Sequence, residues 1–313
     1  MSVVLVCPGQ GAQTPGFLHR LPADPAVART LEEATAVLGQ EALALDGAGA
    51  LASTVAVQLA TVVAGVAVGR ALLARGVEAE AAAGLSVGAF TAAVLCGALE
   101  LPAALRVVRL RAERMERAFP RGHGLAAVVG LGEGAVAAIV AEVARGGAPV
   151  YLANLNAPTQ FVLAGSDAGL DLAIGRALAA GARRAERMAV AVPSHCELLT
   201  PVGDDLAAAL REVPVARPAL AYVTGARARV TRDPEVIRDD LARNVQRPVR
   251  WADATAVLHE LGARLFVEVP PGRALSDLAE AAFPGARAVA AEEVPLATIA
   301  VLAARERLLD GER

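Results

Sequence analysis

The chain contains no lysine. All 30 basic residues among its 313 are arginine, set against 33 aspartates and glutamates, for a formal net charge of −3. Without a basic excess, the electrostatic footprint of a nucleic-acid-binding protein is missing. The arginine and alanine richness as a whole reads as the base composition of the coding DNA. Single arginines can still have a specific task, because the permanently charged guanidinium fork fits carboxylates and phosphates. Cysteine is scarce too: Cys7, Cys96 and Cys196 are odd in number and lack metal-ligand spacing. That argues against a metal centre and for a reducing compartment. The opening MSVVLVCPGQG lacks a basic stretch and reaches Pro8-Gly9 too early for a secretory signal, so the expected location is the cytoplasm. Leu51–Ala74 has nearly the apolar length of a membrane span. It carries Ser53, Thr54, Gln58, Thr61 and Arg70 among alanines and valines, which predicts a buried helix and no membrane partner.

What is present is a long alternation of strand and helix signals, with 55% apolar residues and ample length for a large core. Val3–Cys7 reads as a buried strand ending at a Pro-Gly turn. Alanine-rich helices follow through Ala74, then a weak strand before Ser86 and a helix from about Val87. Leu101–Phe119 reads as an amphipathic helix bearing Arg106, Arg109, Arg111, Arg114 and Arg117. From Pro120-Arg121-Gly122 the texture changes. Strand (Gly124–Gly130), helix (Glu133–Arg145), strand (Val150–Asn154), strand (Gln160–Gly165), helix (Asp167–Ala180) and strand (Arg187–Val192) give the β-α-β-β-α-β order of a ferredoxin-like unit. After Pro193 come helix (Leu198–Val213), a strand near Ala221, two helices (Pro234–Asn244 and Trp251–Leu261) and a strand (Leu265–Val269). The predicted class is α/β. A large domain with a parallel sheet, residues 1–121 and 190–313, receives a small ferredoxin-like insert at 122–189.

Gly84-Leu85-Ser86-Val87-Gly88, between a strand and a helix, has the form of a nucleophile elbow. A turn that tight admits only small residues. It projects the Ser86 hydroxyl and sets the Val87 N–H beside it, at the positive end of a helix. A serine needs a base. Of four histidines, His19 lies in a polar loop, His123 at the junction with the insert and His259 in a solvated helix. His195, in Val-Pro-Ser-His-Cys, falls where a strand gives way to a loop, the place where catalytic groups gather in open α/β sheets. Pro8-Gly9-Gln10-Gly11 follows the first strand and so opens at the same sheet edge. Its flanking glycines let the Gln10 backbone approach a ligand, and the Gln10 N–H would complete an oxyanion hole with that of Val87. One arginine of the Leu101–Phe119 helix would turn inward to clamp a carboxylate. Periodicity does not single out which.

These pieces, in this order, together with Leu110-Arg111-Ala112-Glu113-Arg114-Met115 and with Asn244 ahead of Pro248-Val249-Arg250-Trp251, resemble the malonyl-CoA:acyl-carrier-protein transacylases over nearly the whole chain. The resemblance implies an α/β-hydrolase-like catalytic domain with a ferredoxin-like insert. It implies Ser86 as the acyl-carrying nucleophile, His195 as its base, Gln10 and Val87 as oxyanion donors, Arg111 as the holder of the malonyl carboxylate and the Asn244 carbonyl as the group that orients His195. It also implies malonyl-CoA as substrate, an acyl carrier protein as acceptor, and no permanently bound cofactor or metal. Two departures are visible. Leu85 stands where the family usually has histidine, and Ala89-Phe90 where it has an acidic-aromatic pair. With Tyr151-Leu-Ala-Asn-Leu-Asn-Ala-Pro-Thr-Gln160, this wording is most similar to the epsilon (transferase) subunit of malonate decarboxylase. Its acceptor is a carrier protein with a phosphoribosyl-dephospho-CoA arm, and its partners are the other decarboxylase subunits. The runner-up setting is fatty acid or polyketide synthesis. An esterase, with Asp167 or Asp171 as the acid, and a non-catalytic carrier-docking subunit are further alternatives. Arg183, Arg184, Arg227 and Arg229 are candidates for docking an acidic carrier.

Overall fold

A computed structural model describes residues 1–311. In chain order its strands and helices begin with β1 (Val3–Cys7), α1 (Pro25–Leu38), α2 (Thr54–Ala74), β2 (Ala81–Gly84), α3 (Gly88–Leu95) and α4 (Leu101–Ala118). The middle of the chain forms β3 (His123–Val129), α5 (Glu133–Arg145), β4 (Val150–Ala157), β5 (Gln160–Ser166), α6 (Asp167–Ala179) and β6 (Arg184–Arg187). There follow α7 (Thr200–Arg211), β7 (Ala221–Val223), β8 (Val230–Thr231), α8 (Pro234–Arg243), α9 (Trp251–Glu260), β9 (Leu265–Glu268), α10 (Ala274–Ala282), β10 (Arg287–Ala290) and α11 (Leu296–Gly311).

The large sheet has the order β10-β9-β1-β2-β7-β8 and is parallel except for the edge strand β8. All five residues of β1 are buried, as a central strand covered on both faces requires. Successive side chains alternate between two cores. Val3, Leu5 and Cys7 join α1–α4 and α7 on one face, whereas Val4 and Val6 join Trp251, Leu258 and Leu275 of α9 and α10 on the other. The helices carry legible start and stop signals. The Asp24 side chain accepts from Ala26 N at 2.8 Å ahead of Pro25 in α1, and Gly39 ends that helix with φ 69°. Helix α2 is long and apolar enough to cross a membrane by length and composition. It is buried almost all round, against α1, α3, α4 and α11, as the polar residues scattered along it predict.

His123–Arg187 builds the second sheet, antiparallel in the order β4-β5-β3-β6, with α5 and α6 packed on one face. This is the ferredoxin-like arrangement. Its other face, with Leu125 and Val162, looks toward the large domain. One expected element lies elsewhere. The last strand of this sheet is Arg184–Arg187, paired with Val129–Ala126, in place of Arg187–Val192. Only Ala185 of β6 is buried, so an exposed edge strand of charged residues carries no apolar signal. Met188–Val192 is apolar for another reason: Met188 and Val190 line the cavity described below, and Val192 enters the large core. The edge strands β8 and β10 also escape the sequence reading.

Candidate active site

Ser86 sits in the turn from β2 to α3. A Cβ on Gly84 would strike the backbone of Gly88, and one on Gly88 would strike the Cys7 carbonyl. Backbone therefore packs on backbone here, and only glycine permits it. Leu85 N donates to Cys7 O at 2.9 Å, and Gly88 N to Leu85 O at 3.0 Å. Held at both ends, Ser86 takes φ 57°, a left-handed conformation that costs an L-residue about 1–2 kcal/mol. Such strain persists only where the surroundings over-determine it, and it turns the hydroxyl into the open.

His195, 109 residues further along the chain, meets that hydroxyl: Nε2 lies 2.8 Å from Ser86 Oγ. His195 is also in the left-handed region, with φ 65°, and its N–H donates to Val245 O at 2.7 Å. Ring Nδ1 lies 2.7 Å from the Asn244 carbonyl. A carbonyl only accepts, so Nδ1 carries the proton and the Nε2 lone pair faces Ser86. Asn244 also reaches Ser86 directly, its Nδ2 lying 3.5 Å from the Ser86 carbonyl. Among the described residues the imidazole has no carboxylate partner. Asp167 and Asp171, the acids an esterase triad would call on, pair instead with Arg187. His19 bonds Asp46, His123 packs edge-on to Phe119, and His259 stacks on Phe283, so none of these enters the site.

Of the arginines on α4, the fold buries only Arg111, which is 1% exposed. Its Nη2 donates toward Ser86 Oγ at 3.3 Å and its Nη1 to Gln58 Oε1 at 2.6 Å. Among the described residues Nε has no acceptor and no carboxylate pairs with this cation. Burial lowers its pKa to about 10, which leaves it charged at neutral pH. The His195 pKa falls to about 4. Burial is the main cause and the Arg111 charge the second, opposed by the hydrogen bond to Asn244. The base is therefore empty at pH 7. Backbone N–H groups of Gln10 and Val87 donate to no protein acceptor among the described residues, and Val87 caps α3 at its positive end.

Gln10, Ser86 and His195 line a cavity of about 290 Å³, with Val87, Arg111 and Asn244 buried behind them. The large domain contributes an apolar wall of Leu85, Ala274, Leu275 and Leu278, and the small sheet contributes Asn154, Asn156 and Gln160. Past Gln10, Gln160, Met188 and Val190 the cavity continues into a cleft of about 860 Å³ edged by Arg183, Arg184 and Arg187. Arg227 and Arg229 are exposed elsewhere, Arg227 beside a separate surface hollow. The structure thus gathers Ser86, His195 and Gln10 at one mouth, with Arg111 and Asn244 hydrogen-bonded to that pair from behind and Val87 next to Ser86 in the elbow. It adds Gln58 and the three amides of the small sheet, which the sequence reading does not assign to the site. Gln58 is visible in the sequence only as a polar residue in an apolar helix. Chemically, the arrangement offers an acylatable hydroxyl, a neutral base, two free N–H donors and an uncompensated cation.

Residues 4–307 match the family model for the acyl transferase domain. The chain is 36% identical over 279 residues to the malonyl CoA-acyl carrier protein transacylase of Escherichia coli (strain K12), covering 87% of this chain and 90% of that protein. It superimposes on an acyl-carrier-protein S-malonyltransferase from Burkholderia pseudomallei 1710b with TM-score 0.91 and 34% identity, over 96% of this chain and 99% of that one. The match to a structure of a type II PKS acyl-carrier protein in complex with its malonyl-transacylase also has TM-score 0.91, at 33% identity and with the same coverage.

Proposed function

Because this chain belongs to the acyl transferase family, alongside the malonyl CoA-acyl carrier protein transacylases, we propose that it moves a malonyl group from malonyl-CoA to the thiol of an acyl carrier protein. The acyl group rests on Ser86 in between. One observation carries the choice of acyl group: the buried, unpaired Arg111 guanidinium shares the Ser86 hydroxyl with His195. A free carboxylate one methylene away from the reacting carbonyl carbon would satisfy that cation, and an acetyl group would leave it buried without a counter-charge.

Ser86 Oγ attacks the thioester carbonyl while its proton passes to His195 Nε2. The oxyanion of the tetrahedral intermediate accepts from the Gln10 and Val87 N–H groups. The C–S bond breaks, and CoA leaves as its thiol with the proton from His195. In the second half the carrier thiol gives its proton to Nε2 and attacks the malonyl ester, and the proton returns to Ser86 Oγ as the C–O bond breaks. The Asn244 carbonyl fixes the imidazole tautomer throughout, in the place that an aspartate takes in a triad. Every step uses this chain's own groups and the two thiols.

Incubation with malonyl-CoA followed by digestion tests the reading. The peptide containing Ser86 is expected to gain the mass of one malonyl group, and Ser86→Ala to abolish the gain. No adduct, or an adduct on another residue, would overturn it. A second reading places the transfer inside malonate decarboxylase. It is supported by Leu85 in the elbow and by the Tyr151–Gln160 segment, whose Asn154, Asn156 and Gln160 line the cavity. Malonyl-enzyme offered a carrier with an ordinary phosphopantetheine arm and one with a phosphoribosyl-dephospho-CoA arm decides between the settings. Faster transfer to the second favours the decarboxylase.

A further inference from the structure

Gln58 is fully buried in the second turn of α2, a helix otherwise made almost wholly of apolar side chains. Burying a primary amide is costly unless its donors and acceptor are met. Here they are met by the site. The oxygen accepts from Arg111 Nη1 at 2.6 Å, which fixes the amide's orientation, since a guanidinium only donates. The nitrogen then faces Gln10 Oε1 at 3.4 Å and Met115 Sδ at 3.6 Å. Buried arginines ordinarily pair with a carboxylate. A glutamate side chain would reach the same nitrogen with the same geometry, yet it would cancel the charge.

We propose that Gln58 is a specificity-determining positioning residue, which holds the Arg111 guanidinium toward Ser86 by a neutral hydrogen bond and so keeps its positive charge free for the carboxylate of the incoming acyl group. The inference rests on Arg111 acting as the carboxylate clamp. Acyl selection then depends on a residue that touches no substrate: the neutral amide sets how strongly the cation discriminates, and Arg111 makes the contact.

The test compares the full-length protein with Gln58→Glu and Gln58→Met, measuring single-turnover formation of acyl-Ser86 from malonyl-CoA and acetyl-CoA, with thermal unfolding alongside. Gln58→Glu is expected to slow malonyl loading by about ten- to hundredfold, the worth of a hydrogen-bonded charge, and to leave acetyl loading largely unchanged. A merely structural role would lower both together. Gln58→Met leaves the charge but removes the aim, so KM for malonyl-CoA rises while acetyl loading holds. An unchanged malonyl-to-acetyl ratio in Gln58→Glu overturns the proposal, as does an equal loss of both substrates. If Gln58→Glu does not fold, Gln58→Met decides, and an unchanged KM for malonyl-CoA refutes the role. Failure of the wild-type protein to load malonyl on Ser86 is a separate result and removes the parent reading as well.

Discussion

A serine hydroxyl reacts only where its proton has an acceptor that is vacant at working pH, and one buried imidazole supplies it. With its pKa lowered from 6.5 to about 4, first by burial and then by Arg111, His195 stays neutral well into the acid range. The acid limb of kcat/KM for the free enzyme is therefore expected near pH 4. Removing the Arg111 charge moves that limb upward, which a pH-rate profile of Arg111→Ala checks. The same shift enters stability. Between pH 4 and 6.5 the unfolded chain binds a proton at this histidine and the native one does not, so stability is full above 6.5 and is lost as pH falls toward 4. The loss for this group is on the order of 3 kcal/mol, read as the difference between wild type and His195→Gln in denaturant unfolding at pH 7 and pH 4. Arg111→Ala should also cut malonyl use by about a hundredfold or more, the penalty for truncating a buried charge pair, and narrow the malonyl-to-acetyl ratio. Equal losses for both acyl groups would exclude the clamp. At this scale helix periodicity gives the kind of residue, and only the family resemblance points to Arg111 as the individual. Five arginines share α4, and only packing against α2 separates Arg111, which is buried, from Arg106, Arg114 and Arg117, which are exposed.

The elements that carry these residues were legible where local chemistry and tertiary demand agree. The β2-to-α3 elbow is such a place, because backbone crowding dictates glycine at both ends of the turn. Gly88→Ala places a methyl group against the Cys7 carbonyl of the neighbouring strand. It is expected to destabilise the fold by about 1–3 kcal/mol and to displace the Val87 N–H. The drop in thermal midpoint should then accompany a loss of activity larger than the unfolded fraction explains. The strand β2, Ala81–Gly84, is weak by propensity and exists because β1 and β7 flank it and burial is complete. Conversely β6, with charged residues at three of its four positions, is a strand only through its pairing with β3, and nothing in its own residues announces that. The apolar segment after it places the expected strand three residues too far along at its start and five at its end. Apolar character there serves a cavity wall and a core, and hydrophobicity alone does not distinguish those uses from a sheet.

For the molecule as a whole, the reaction chamber is a joint between two sheets, so its shape depends on how the small sheet is docked. The edge strand β4 is tied to the large domain by backbone: Val249 N donates to Ala153 O at 2.8 Å, and Leu155 N to Val249 O at 2.8 Å. Val249 and Trp251 are buried behind this bridge, and β4 delivers Asn154 and Asn156 to the cavity opposite Ser86. Neither link is visible in sequence, since Pro248-Val249-Arg250 reads as a loop before α9. Val249→Pro removes the first bond by deleting its donor. The expected cost is about 1–3 kcal/mol of stability. The functional effect should be selective. The Ser86–His195 pair is built within the large domain, so the rate at which a small sulfonyl fluoride labels Ser86 should hold, while KM for malonyl-CoA rises because the cavity's amide wall is no longer fixed. Val249→Ala keeps the N–H and should keep KM near wild type. If labelling falls in step with malonyl-CoA binding, the docking bridge supports the nucleophile itself, and the two sheets do not divide the labour in this way.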